Sequence, residues 1–257
     1  MELTERKLKI LQAIVTDFIN TAEPVGSRTL AKRYELGVSP ATIRNEMSDL
    51  EEMGFLTHPH ASAGRVPSDK AYRMYVNNLM DKYELPTEEK TRISNQMNTG
   101  ISELKTAIRH ASEMLSELTN LTSFATYEDR SEIDLILEGM TRIFAQPEFN
   151  SIDRAKNFLQ MVDDRDHLTK ALSTRDEGVS ITIGEENSTE IMADSAVITA
   201  TYHIDGRYVG KLGVIGPTRM NYSEVMTLVE YLSNNLNQAF KVEPNNIKSL
   251  KQGDEDE

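Results

Sequence analysis

The chain has 257 residues, 39% hydrophobic and 27% charged, enough for a small domain and a larger one with separate cores, and no apolar run reaches membrane-spanning length. The absence of cysteine excludes disulfides, thiolate metal sites and cysteine nucleophiles. The net charge of -13 is unevenly placed: residues 1 to 80 hold ten Lys/Arg and ten Asp/Glu, leaving 18 basic against 31 acidic residues in the remainder, so only the neutral head can approach a polyanion. The opening Met1-Glu2-Leu3-Thr4 lacks a signal-peptide pattern, so the expected location is the cytoplasm.

In chain order, Leu8, Leu11, Ile14, Val15, Phe18 and Ile19 recur at helical spacing and predict a helix over 4–20 with Thr4 as its N-cap. A second, short helix starts at a Ser27 cap, with Leu30 and Tyr34 inward and Arg28, Lys32 and Arg33 outward. After a turn at Glu35 to Val38, Ser39-Pro40 supplies a cap and an N1 proline for a third helix, which Gly54 ends. Phe55 to His58 reads as a strand, and Ala61 to Arg65 as a turn into a returning Val66-Pro67. Three helices and a hairpin predict a winged helix.

Further on, Met97, Ile101, Leu104, Ile108, Ala111, Leu115 and Leu118 form a heptad-like seam, a dimerisation surface unless it packs within the protomer. Helical stretches are expected around 134–144 and 152–172. Strands are expected over Val179 to Ile183, Ala196 to Ile204 and Arg207 to Ile215, the last two joined by Asp205-Gly206. A last helix from Asn221, with Glu224 completing a capping box, carries Val225, Leu228, Val229, Leu232, Leu236 and Phe240 inward. The acidic tail at 243–257 reads as disordered.

On the third helix Ile43, Met47 and Leu50 face the core, and the opposite face presents Ala41, Asn45 and Ser48 flanked by Thr42 and Arg44. These side chains suit a helix in a major groove: Asn pairs with adenine, Arg with guanine, and Ala or a Thr methyl meets the thymine methyl. Arg28, Lys32, Arg33, Arg65, Lys70 and Arg73 are candidates for phosphate or wing contacts. The alternative for each is an ordinary solvated surface. No catalytic frame, phosphate-binding loop, cofactor site or metal site is expected: His58 and His60 have no third ligand nearby, and His110, His167 and His203 are isolated. The chain reads as a non-enzyme.

Glu23-Pro24-Val25-Gly26-Ser27-Arg28-Thr29-Leu30, Val38-Ser39-Pro40-Ala41-Thr42-Ile43-Arg44-Asn45, Leu50-Glu51-Glu52-Met53-Gly54 and Ala63-Gly64-Arg65-Val66-Pro67 before Ala71-Tyr72-Arg73 resemble the HrcA family of heat-inducible transcription repressors. Gly210-Lys211-Leu212-Gly213-Val214-Ile215-Gly216-Pro217-Thr218-Arg219-Met220-Asn221-Tyr222 resembles that family's C-terminal signature. The resemblance implies a dimeric repressor of chaperone operons such as those of GroEL and DnaK. It would bind an inverted-repeat operator in double-stranded DNA and need the GroEL chaperonin for activity. Against the family, the stretch between Ser123 and Leu137 is short, so the chain reads as internally shortened, which puts the completeness of a GAF-like sheet in question. The expected fold is α+β: a winged helix over 1–80, a helical dimerisation segment over 81–123, a shortened GAF-like antiparallel sheet closed by a C-terminal helix over 124–242, and the tail. A second reading is control by a small ligand in the GAF-like domain.

Overall fold

The structure, a computed structural model, describes residues 3–60, 63–97, 104–129, 132–172, 177–187, 192–204 and 207–239. The head begins with α1 (Glu5–Thr21), whose first turn is closed by the Thr4 hydroxyl accepting from the Lys7 N–H. It ends at Ala22 in the left-handed conformation. Helix α2 (Ser27–Arg33) starts one residue earlier than the sequence suggested, because Gly26, and not Ser27, occupies the cap. Helix α3 (Pro40–Glu52) has the expected Ser39 cap, its hydroxyl accepting from the Thr42 N–H at 3.1 Å, with Pro40 in the first turn. Gly54 follows it at φ +76°, where a Cβ would be strained.

Strands β1 (Leu56–Thr57) and β2 (Val66–Pro67) pair antiparallel as the wing. Val25 adds a third rung by exchanging two 2.9 Å backbone hydrogen bonds with Arg65. The close approach requires a glycine: a Cβ on Gly64 would lie 2.5 Å from the Val25 carbonyl oxygen. Helix α4 (Asp69–Met74) then runs into a π-helical turn at Tyr75–Leu79. Ile10, Leu11, Ile14, Leu30, Ile43, Leu50, Leu56 and Tyr72 fill the head's core.

The body is a five-stranded antiparallel sheet of order β4-β3-β7-β6-β5. Its strands are β3 (Thr122–Asp129), β4 (Glu132–Glu138), β5 (Val179–Ile183), β6 (Ser195–Ile204) and β7 (Arg207–Pro217). The last three match the expected strands, and the 205–206 turn lies outside the described residues. One face is covered by α5 (Thr87–Met97), α6 (Leu104–Thr119) and α9 (Tyr222–Ala239), the other by α7 (Ile152–Asp163) and α8 (Arg165–Leu172). Val225, Leu228, Val229, Leu232 and Leu236 of α9 are buried as expected; Phe240 lies outside the described residues. The Asn221 amide donates to the Glu224 carboxylate at 2.7 Å. Among the described residues no helix is long and apolar enough to cross a membrane.

Two expectations are corrected. The helix expected around 134–144 is instead strand β4 followed by a 3-10 turn at Met140–Ala145. In β4, Leu135 and Leu137 pack into the core under α7 and α8 while Ile136 enters the opposite core, so a strand covered on both faces mimics a continuous apolar run. The heptad seam does not face outward. Ile108, Ala111 and Leu115 are wholly buried within the single chain, and Met97 is buried too; Leu104 and Leu118 are half-buried against the same core, and Ile101 lies outside the described residues. The seam is spent on α9 and the sheet, because an amphipathic helix buries its apolar stripe against the nearest apolar surface.

Candidate nucleic-acid interface

Helix α3 presents a chemically sorted surface. Its apolar stripe anchors it in the head, and its one core-facing acid, Glu46, is only 5% exposed and turned toward α1. There Lys7 Nζ lies 2.8 Å from Glu46 and 2.9 Å from Asp49, and Arg6 Nε donates to Glu46 at 2.6 Å. The Lys7 hydrogen bond, helped by Arg6, outweighs burial and holds the Glu46 carboxyl below its usual value. Asp49 first and Glu46 second raise the Lys7 ammonium. The acids near the middle of α3 are thus neutralised from behind, away from the opposite face.

That opposite face carries Ala41, Arg44 and Asn45, all exposed, with Thr42 and Ser48 half-buried beside them. The Thr42 amide and hydroxyl are both tied to the Ser39 cap, and the Ser48 hydroxyl donates to the Arg44 carbonyl at 3.3 Å. Arg44, Asn45 and Ser48 join Arg28 at the start of α2 and Arg65 beside the wing around one open cleft of about 590 Å³. Five residues chosen from three separated stretches of sequence therefore share one concavity.

The six cations expected at the DNA backbone are placed differently from one another. Arg28 and Lys32 are exposed and, like Arg44, have no ion pair among the described residues. Arg33 is exposed but bound to Asp17 at 2.7 Å. Arg65 is bound to Glu51 at 2.7 Å, and Glu51 also takes a hydrogen bond from His58. Burial alone would raise the Glu51 carboxyl, yet His58 and Arg65 together hold it below its ordinary value. Lys70 sits 4.3 Å over the Phe55 ring and donates to the Met53 carbonyl at 2.8 Å, stabilising the C-terminal end of α3. Arg73 points the other way: it donates to the Ile181 carbonyl and to Glu186, both in the body. The structure thus leaves Arg73 apart from the cleft, as a link between head and body.

That link was not legible in the sequence, because its partners lie more than a hundred residues away. It includes Asp69, which accepts from the Glu185 N–H at 3.2 Å, and Arg219, which bonds Glu148 and donates to the Ile19 carbonyl at 2.8 Å. Tyr72 packs on Tyr222 with ring centroids 5.9 Å apart.

Comparison with known proteins places these features. Residues 2–81 match the family described as "Winged helix-turn-helix transcription repressor, HrcA DNA-binding", and residues 128–226 match "HrcA protein C terminal domain". The heat-inducible transcription repressor HrcA of Clostridioides difficile is 35% identical, the match covering 91% of this chain and 98% of that protein. The corresponding protein of Clostridium tetani is 36% identical, with 94% and 97% covered. The C. difficile alignment runs over 333 positions, more than the 257 residues present here, so the relative carries an internal stretch that this chain lacks. A crystal structure of a hypothetical protein, 17% identical, covers 93% of this chain and 99% of its own with a TM-score of 0.78, which extends the likeness to the fold. With its DNA-binding winged helix and its mixed helical and antiparallel-sheet body, the chain belongs to the HrcA family of heat-inducible transcription repressors, a family of non-enzymes.

Proposed function

We propose that this protein represses chaperone operons of the groE and dnaK type by binding an inverted-repeat operator in cytoplasmic double-stranded DNA as a homodimer, with the GroEL chaperonin modulating its activity. The observation that carries the DNA reading is the sorting of α3: Arg44 and Asn45 stand exposed toward an open cleft while Glu46 is turned inward and neutralised. Arg44 suits guanine and Asn45 adenine, Ala41 and the Thr42 methyl suit thymine, and Arg28, Lys32 and Arg65 suit phosphate. A dimer follows from the inverted repeat, since two heads related by a two-fold axis meet two half-sites. Its contacts lie outside the buried α6 seam.

Gel shifts with the cell's own chaperone promoters test this reading. Asn45→Ala is expected to lose about 1–3 kcal/mol at the cognate operator while binding random DNA as before. Equal losses on both DNAs would remove α3 from the reading role. Chaperonin control is tested by heating: the purified protein is expected to lose operator binding with a rise in light scattering, and chaperonin with ATP to restore it. Binding that survives heating without chaperonin would leave the repressor standing and remove the modulation.

A further inference from the structure

An open sheet has two edges, and an edge strand is a template for another strand unless something blocks it. Here the chain blocks one of them. Along β5 the Ile181 carbonyl accepts from Arg73 at 2.8 Å and the Ile183 N–H donates to Glu186 at 2.9 Å, with α4 of the head packed beside them. The other edge is β4, whose backbone from Ile133 to Leu137 has no partner but β3 among the described residues. In an antiparallel pair every second residue turns its N–H and C=O away from its neighbour, so β4 offers a row of these groups outward. Its register with β3 runs unbroken from Glu132 to Glu138, and it holds neither proline nor lysine, so the usual devices that spoil an edge are missing.

The charges that could guard this edge are already met. Glu138 is bound to Arg109 at 2.8 Å and Asp134 to Lys105 at 3.7 Å, both cations coming from α6. The edge is therefore a locally neutral strip on a body that carries the whole net charge of -13, and two such bodies can meet there with little repulsion. Four large apolar side chains are exposed among the described residues, and two of them flank this strip: Ile133 near one end of β4 and Met140 just past the other. The order of residues along β4 also matches itself in reverse. Ile133, Leu135 and Leu137 share the face under α7 and α8, where Leu135 and Leu137 are half-buried. With Leu135 on a two-fold axis, Ile133 meets the partner's Leu137, Leu135 meets its own copy and Asp134 meets the partner's Ile136, so over 133–137 no like charges are directly opposed.

We propose that β4 is the dimer interface: two copies pair their β4 strands antiparallel across a two-fold axis at Leu135, joining the two sheets into one. A pattern that matches itself in reverse is what such a contact requires, and a foreign strand would need no such symmetry. The head is seated against the opposite edge, at β5 and the turn after it, so pairing through β4 leaves both reading helices free. It also supplies the contact that the α6 seam, spent inside the protomer, does not. The need for a dimer rests on the operator reading above; its placement on β4 rests on the edge itself.

Sedimentation of the full-length protein over a concentration series is expected to show a dimer. Ile133→Lys, a change at an exposed position, is expected to weaken self-association at least tenfold with an unchanged circular dichroism spectrum. In gel shifts the same variant is expected to lose affinity for the inverted repeat while binding a single half-site like the parent. Because the chain has no cysteine, Leu135→Cys introduces a lone thiol. Diamide is expected to link it into a covalent dimer, since the two β-carbons meet at the axis. Ile133→Cys, whose copies lie about 13 Å apart along the paired strands, is expected to stay unlinked. If Leu135→Cys does not fold, Ile133→Lys decides. A dimer indifferent to Ile133→Lys, or thiols that link equally or not at all, would overturn the β4 interface and leave the repressor standing. A parent that is monomeric both in solution and on operator DNA would overturn the interface together with two-fold docking. A dimer that behaves as described but recognises no operator would sink the repressor reading and keep the interface.

Discussion

Beside the wing, Arg65 is already held when DNA arrives: phosphate must draw it from a carboxylate 2.7 Å away. Glu51 therefore tempers non-specific affinity, since every sequence presents the same phosphates. Glu51→Gln is expected to bind operator and random DNA more tightly alike and to steepen the salt dependence by about one unit, measured by gel shift across a salt series. Unchanged affinity in that variant would mean that Arg65 does not touch DNA. At this scale the sequence revealed what depends on neighbours along the chain. The Ser39-Pro40 start and the Gly54 stop of α3 are local chemistry and were legible. The capture of Arg65 by Glu51, of Arg33 by Asp17 and of Arg73 by Glu186 was not, because each needs the fold to bring distant segments together.

Among the elements, α6 shows what periodicity can and cannot reveal. Its apolar stripe announces a buried face but not the surface that buries it, and here that surface is α9 and the sheet of the same protomer. The consequence for mutation is a change of phenotype. Ile108→Asp is expected to unfold the body, costing about 3–5 kcal/mol as an unpaired buried charge, and not merely to separate two folded protomers. Urea unfolding followed by circular dichroism alongside sedimentation separates the two: a stably folded monomer would restore the seam as an intermolecular contact. The strands β5, β6 and β7 were legible from alternation and a turn signal. Strand β4 was not, since a short apolar run with both faces covered has no alternation to read.

For the whole molecule, head and body share a continuous apolar core that runs from Ile10 through Tyr72 and Tyr222 to Leu236. Two acids at their junction titrate in opposite senses. Arg73, more than the amide of Ile183, holds Glu186 below the ordinary carboxylate value despite burial. Its contribution is present above the unfolded value of about 4.3 and is lost as pH falls through the lowered folded value. Burial raises Asp69, with the Glu185 N–H only partly offsetting it, so its contribution is present in acid and lost as pH rises through the raised value. Thermal melts of the parent and Glu186→Gln are expected to differ most near neutrality and to converge in acid. A difference that persists unchanged well below the carboxylate range would show that the Arg73 pair carries no linkage.

The β3–β4 hairpin bears on engineering. Asp129 and Glu132 are register partners at the edge of the sheet, so a segment spliced between them would depart and return at a single point. A guest domain whose own ends lie close together could be grafted there without stretching either strand, and the join would leave the β3–β7 ladder that anchors the hairpin untouched. The position is thus a socket for a fluorescent reporter, by which the occupancy of an operator could be followed in a living cell.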